Sequence, residues 1–364
     1  MADYKDKIKE LEDLISKTKY NKRTQAAIGK YKAQLAILKE REVSRSSKGP
    51  RSEGYQVRKT GDGTVILLGY PSAGKSTLLN AITGADSEVG SYAFTTLTVI
   101  PGTLDYNHAR IQILDVPGIV AGAASGRGRG KEVLAAMRSA DLALIIIDAN
   151  KPNEYHSIVK EAREAGIRLN QKLPDVKIKK TGKGGLKILK TLKLTKLNDA
   201  SIKNVFREFK INNAEIVLRE DIDVDQLIDV IEANKKYMPA LSIINKKDLV
   251  SEEKLITLKN KLKSDIEISA KNKEGIDELK ELIFEKLNLI RIFLKEPGKN
   301  PDLDIPLIHF KNSSIKNICD KLHKDFSKKF KFARVWGKSS KFPGQKLMLH
   351  HILQDGDILE IHLR

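Results

Sequence analysis

The residues with the clearest chemical purpose are GYPSAGKS at 69–76. Gly69 and Gly74 bracket Tyr70, Pro71, Ser72 and Ala73, and Lys75, Ser76 and Thr77 follow, which is the G-x-x-x-x-G-K-[ST] spacing of a phosphate-binding loop. Glycines let the backbone turn successive N–H groups toward a phosphate, and the helix that STLLNAITG predicts adds the positive end of its dipole. Lys75 would pair the β- and γ-phosphates, Ser76 would ligate Mg²⁺, and Thr77 would sit near the α-phosphate. A second group would choose the base. NKKD (Asn245, Lys246, Lys247, Asp248) directly follows the apolar run ALSII. An Asp there can accept from both N1–H and the exocyclic amine of guanine, a donor pair that adenine lacks, while Asn245 can reach the base's other edge. Ser269, Ala270 and Lys271, at the end of the next apolar run, would add a backbone contact to the guanine oxygen. The motifs in this order predict GTP and GDP rather than ATP.

A third group would sense the γ-phosphate. Asp115, Val116, Pro117 and Gly118 end the run IQILD; Asp115 could hold Mg²⁺ through water and the Gly118 N–H could contact the γ-phosphate. Between the loops, residues 94–98 (Phe94, Thr95, Thr96, Leu97, Thr98) offer a threonine that would ligate Mg²⁺ only when the γ-phosphate is present, Thr96 first and Thr95 in its stead. Lys75, Thr96 and Gly118 are thus the candidate catalytic groups, and Ser76, Thr96 and Asp115 the candidate metal ligands. Residues 118–130 hold five glycines, which fits a segment that orders with nucleotide state. Ile119 stands where a glutamine orients the attacking water in many small GTPases. An isoleucine cannot do so, which leaves backbone, another switch residue or a second cation, or slow hydrolysis without a partner. Arg127 and Arg129 are candidate cis fingers or simply solvated charges.

These groups need elements to hold them. TVILLG, IQILD, LALIIID, ALSII and, more weakly, IEISA are apolar runs of the kind that strands buried on both faces require. They predict an α/β P-loop GTPase fold, a mostly parallel sheet with helices on both faces. Between Asp148 and Ala240 lie many more residues than the ~30 a crossover unit needs, so a small basic α+β module is inserted there. Its strand-like part is 186–195 and its helix-like part 223–237. Ahead of the sheet, Ile8, Leu11, Leu14 and Ile15, then Ile28, Tyr31, Leu35 and Leu38, recur at helical spacing and predict a helical hairpin. SRSSKGPRSEG then reads as a linker. Residues 275–294 read as one helix and EPGKNPD as a boundary. The rest reads strand, helix capped by Ser313 or Ser314, then strands KFARVWG and ILEIHLR, a β-grasp order. The expected divisions are 1–48 for the hairpin, 49–165 and 239–295 for the nucleotide-binding domain, 166–238 for the insertion and 296–364 for the β-grasp domain.

Charge adds a partner class. Lys+Arg number 66 against 47 Asp+Glu, a net +19, but the excess is uneven. Residues 1–60 carry +8, 168–197 carry +9 and 305–364 carry +7, whereas 61–150, with most of the phosphate chemistry, carry −2. A polyanion touched at several points fits this better than the bland reading of a solubilising surface. Lys187, Lys190, Lys193 and Lys196 recur at threes and suggest contact with the backbone of structured RNA. The single Cys319 excludes a disulfide framework and a Cys-based zinc site. No apolar run reaches the ~18–20 residues that span a bilayer, and the mixed-charge start resembles no leader. The expectation is a cytoplasmic monomer without a membrane partner.

GYPSAGKST, FTTLT, LDVPGIVAGAASGRGRGKEV, NKKD and SAK resemble the developmentally regulated GTP-binding (DRG) family of the Obg-type group. RVWG and DGDILEI are similar to that family's C-terminal TGS domain. The resemblance spans essentially the whole chain and implies a ribosomal-S5-domain-2-like insertion, a translation-associated GTPase in contact with ribosomes or rRNA, and, as in eukaryotic relatives, a stabilising protein partner. It also implies a hydrophobic residue after DVPG and stimulation by K⁺. K⁺-dependent relatives often carry Asn where this chain has Ser72. Two other classes compete: an RNA-binding, chaperone-like module with structural GTP, and a P-loop kinase, which NKKD argues against.

Overall fold

The computed structural model describes residues 2–19, 21, 23–45, 61–83, 100–115 and 137–364. The chain divides into two compact units, Met1–Tyr55 with Gly166–Tyr237, and Gln56–Ala165 with Met238–Arg364. Helices α1 (Ala2–Lys17) and α2 (Gln25–Arg45) come first. Next are β1 (Gly63–Leu68), α3 (Lys75–Thr83), the hairpin β2 (Ile100–Tyr106) and β3 (Ala109–Asp115), then β4 (Leu142–Asp148) and α4 (Glu154–Glu164). The insertion follows as β5 (Ile167–Leu169), β6 (Val176–Lys180), β7 (Leu186–Lys190), α5 (Asp199–Glu208), β8 (Ala214–Leu218), α6 (Val224–Glu232) and β9 (Lys236–Met238). The chain returns through β10 (Ala240–Asn245), α7 (Glu252–Leu262), β11 (Ile266–Glu267) and α8 (Ile276–Lys286). It continues with β12 (Leu289–Leu294), β13 (Leu307–Phe310), α9 (Ile315–Leu322), α10 (Phe326–Lys329), β14 (Phe330–Trp336), β15 (Gln345–Leu347) and β16 (Asp357–Leu363).

In the larger unit the strands run β11-β10-β4-β1-β3-β2, parallel throughout except for β2 against β3. Every residue of β1 and β4 is buried. That is why their sequences are continuous apolar runs rather than alternating ones. The C-terminal ends of β1, β3, β4 and β10 therefore share one sheet edge, where open α/β sheets bind their ligands.

A second sheet, β13-β12-β16-β14-β15, packs on α9, with β12 and β16 parallel and the other pairs antiparallel. Ser314 caps α9 through a capping box with Asn317. The single predicted helix over 275–294 is corrected here: it ends at Lys286, and Leu289–Leu294 is a strand. Asn288 sits at φ +52°, which breaks the helix. The following strand uses both faces, Leu289 in the core of the nucleotide-binding sheet and Ile290 and Ile292 in the C-terminal core. With no polar face to mark it, LNLIRIFL satisfies helical and strand periods equally.

In the smaller unit, β6-β8-β7 form a three-stranded sheet packed on α5 and α6. Ala33 of α2 is fully buried in that same core, Lys32 pairs with Asp225 at 2.9 Å and Gln34 bonds Glu208 at 3.1 Å. The hairpin and the insertion are thus one folded body. The strand-like 186–195 shortens to β7, and the helix-like 223–237 splits into α6 and β9 at Ala233, which has φ +50°.

Candidate nucleotide-binding site

The phosphate loop leaves β1 and enters α3 with two positions that only glycine fits. A Cβ on Gly69 would stand 2.8 Å from the Ile146 carbonyl oxygen, and one on Gly74, at φ +92°, would stand 2.3 Å from Asn245 Nδ2. Ser72 takes the left-handed conformation at φ +65°. Lys75 Nζ donates to the carbonyls of Gly69 and Tyr70, both at 3.1 Å, so the ammonium lies over the loop whose N–H groups would face phosphate.

Ser76 and Asp115 meet. Ser76 Oγ donates to Asp115 Oδ2 at 2.9 Å, joining the start of α3 to the end of β3. Asp115 is only 3% exposed, and its Oδ1 is buried with no hydrogen-bond partner among the described residues. A buried carboxylate oxygen without a partner is costly unless a cation or water serves it. A hydroxyl and a carboxylate are the hard oxygen donors that Mg²⁺ takes, so the residues present fit that ion. Phe94, Thr95, Thr96, Leu97, Thr98, Val116, Pro117 and Gly118, with Ile119, Arg127 and Arg129, lie outside the described residues.

On the base side, Asn245 is 2% exposed and braces three loops. Its Nδ2 donates to the Ala73 carbonyl at 2.9 Å, and its Oδ1 accepts the N–H of Lys246 at 2.8 Å and of Ala270 at 3.1 Å. The sequence aims Asn245 at the base; the structure has both ends of its amide engaged by protein. Lys247 N–H donates to the Ile268 carbonyl at 3.1 Å, and its ammonium pairs with Glu274 at 3.1 Å. Ser269 is fully buried, with its hydroxyl accepting the Asn272 N–H at 3.3 Å. Asp248 and Lys271 are exposed.

Asp148 was not singled out in the sequence. Its Oδ2 lies 2.8 Å from Lys246 Nζ and its Oδ1 accepts the Asn150 N–H at 2.9 Å. Burial acts to raise its pKa, yet these two bonds and the nearby Lys246 and Lys151 charges outweigh it and hold the carboxyl below the usual range. The only signal available was its place at the end of LALIIID, on the edge where the motif loops emerge.

In the smaller unit the lysine row does not survive as a row. A strand alternates faces every second residue, so Lys187 and Lys190 leave β7 on opposite faces, and Lys193 and Lys196 lie beyond its end. All four are exposed; Lys190 also pairs with Asp199, and the Lys196 backbone N–H donates to Asp221 Oδ1 at 3.3 Å. Lys177 and Lys179 on β6 are exposed as well.

The fold and this loop constellation define a P-loop GTPase followed by a β-grasp domain. Residues 64–180 match the family model described as a 50S ribosome-binding GTPase, 183–289 the C-terminal region of the MMR_HSR1 domain, and 290–363 the TGS domain. The chain is 49% identical over 363 residues to a GTP-binding protein of Methanocaldococcus jannaschii, covering 99% of this chain and 93% of that one. It is 42% identical to developmentally-regulated G-protein 3 of Arabidopsis thaliana, covering 99% of each. It is also 42% identical to ribosome-interacting GTPase 1 of Saccharomyces cerevisiae, covering 98% of each. The chain belongs to the developmentally regulated GTP-binding family of GTPases.

Proposed function

We propose that this GTPase is a nucleotide-driven switch in translation, docked on the ribosome or on structured RNA through its basic segments. The observation that carries the nucleotide-binding part of the reading is the Asn245 brace. It supports one continuous site in which the phosphate loop, NKKD and SAK serve a single guanine nucleotide. Gly69 to Thr77 would wrap the phosphates, with Lys75 on the β- and γ-phosphates. Asp248 would accept the two guanine donors, and the SAK loop would face the guanine oxygen.

Ser76, Asp115 and Thr96 would hold Mg²⁺. When bound, the ion would neutralise charge on the β- and γ-phosphates. Thr96 and the Gly118 N–H would engage only the triphosphate state, which makes their segments the nucleotide-dependent part of the switch. Ile119 offers no group to orient water, so intrinsic hydrolysis is slow. A monovalent cation or a partner would supply the missing stabilisation, and K⁺ is the cation that the family resemblance supports. The exposed Lys177, Lys179, Lys187 and Lys193 suit phosphate-backbone contact rather than base readout. The relative named as ribosome-interacting supports the ribosome as the assembly concerned.

Displacement of a fluorescent GDP analogue tests the base choice. GTP should compete at concentrations about a hundredfold or more below ATP, and equal competition would contradict the site. Single-turnover hydrolysis should be faster in K⁺ than in Na⁺; equal rates would remove the monovalent cation from the account.

A further inference from the structure

Strands β4 and β10 end side by side, with Asp148 and Asn245 as Cα partners. One residue further, Lys246 turns into the left-handed region at φ 64° and ψ 38°, a conformation disfavoured for any residue that carries a Cβ. Such a turn persists only where its surroundings hold it. Asn245 and Lys247 are held by the backbone carbonyls of Ala73 in the phosphate loop and of Ile268 just beyond β11. Lys246 donates its N–H to Asn245 Oδ1 at 2.8 Å and accepts the Leu249 N–H on its carbonyl at 3.0 Å, and its side chain adds a third tie, reaching back to Asp148 at 2.8 Å.

This ion pair is not an ordinary surface contact. The Asp148 side chain is 10% exposed and that of Lys246 30%, and both Asp148 oxygens are engaged. Two residues beyond Lys246, Asp248 stands exposed in the short turn Lys247–Leu249. None of its side-chain bonds appear among the described residues. The recognition carboxylate is therefore open, while the three residues before it are each tied down.

We infer that Asp148 is a positioning residue for guanine selection, its ion pair with Lys246 holding the left-handed turn that aims Asp248 at the base. The inference rests on the reading of Asp248 as the guanine acceptor. Although burial acts to raise it, the Asp148 carboxyl is held below its usual range by the bonds from Lys246 and Asn150 and the nearby lysine charges, and so is charged at neutral pH.

The test is stopped-flow release of fluorescent GDP and IDP analogues from the full chain. Inosine lacks the exocyclic amine and so removes one of the two donors that Asp248 would accept. The unaltered chain should release IDP faster than GDP. Asp148→Asn keeps an acceptor for the Asn150 N–H but drops the charge. It should release GDP about tenfold faster and shrink the IDP-to-GDP rate ratio at least about threefold. Lys246→Met, which removes only the ammonium, should do the same, and the double variant should be no worse than either alone. Asp148→Glu should restore part of the ratio. A lowered melting temperature with an unchanged ratio would mark the pair as merely structural and overturn the inference. So would additive effects of the two substitutions. Equal release of GDP and IDP by the unaltered chain would instead overturn the Asp248 reading itself. Should Asp148→Asn fail to fold, Lys246→Met decides alone.

Discussion

Gly74 carries the most constrained contact of the site. At φ +92° and with a hypothetical Cβ 2.3 Å from Asn245 Nδ2, it admits no side chain without displacing the brace between the phosphate loop and NKKD. Gly74→Ala should lower GDP affinity about a hundredfold, read by fluorescence titration, with far-ultraviolet circular dichroism unchanged. Ser76→Ala removes the hydroxyl bonded to Asp115 and with it one of the hard oxygen donors. It should raise the Mg²⁺ concentration needed for tight nucleotide binding about tenfold, measured by titrating Mg²⁺ against analogue fluorescence. At this scale the sequence was most legible, because phosphate and base recognition demand particular residue types at set spacings. What it hid was the reuse of a residue: Asn245 spends its amide on protein, and Asp148 looks like nothing more than the last polar residue of a buried strand.

Among the elements, the junction of α8 and β12 matters most. Leu289 and Ile308 belong to the core of the nucleotide-binding sheet although their strands pair in the C-terminal sheet. Across the same seam Lys321 pairs with Asp62 at 2.8 Å. The TGS sheet and the nucleotide-binding sheet therefore share apolar packing. Leu289→Ala should destabilise the larger unit by about 2–3 kcal/mol, seen as a lower urea midpoint for nucleotide release. In the smaller unit, Arg168 meets Asp229 in two bonds of 2.6 and 2.7 Å, both side chains less than a tenth exposed. Burial, then the Asp229 charge, pushes the Tyr237 hydroxyl beside them up to about 12, so it stays protonated and donates to that carboxylate. Asp229→Ala leaves a buried guanidinium without its main partner. It should cost about 3–5 kcal/mol, visible as an early unfolding transition of the smaller unit by hydrogen exchange. Strand existence was readable from β1, β4 and β10 because buried strands need unbroken apolar runs. The helix-to-strand change at Asn288 was not, since both periods fit the same residues. Nor was the packing of α2 on the insertion, which depends on contacts between residues far apart in the chain.

For the whole molecule, charge and chemistry are separated. The segment with most of the phosphate-binding residues, 61–150, carries −2 while 1–60 and 168–197 carry +8 and +9, and those two basic stretches fall largely in one folded unit. On the proposed reading GTP would be handled by one lysine, backbone amides and the metal ligands, which would leave the basic excess for a larger polyanion. Co-sedimentation with ribosomes, in a non-hydrolysable GTP analogue against GDP and over a salt series, tests this account most directly. It predicts binding that favours the GTP analogue and falls steeply as salt rises, as counterion release requires. Binding of equal strength with both nucleotides, or binding indifferent to salt, would contradict it.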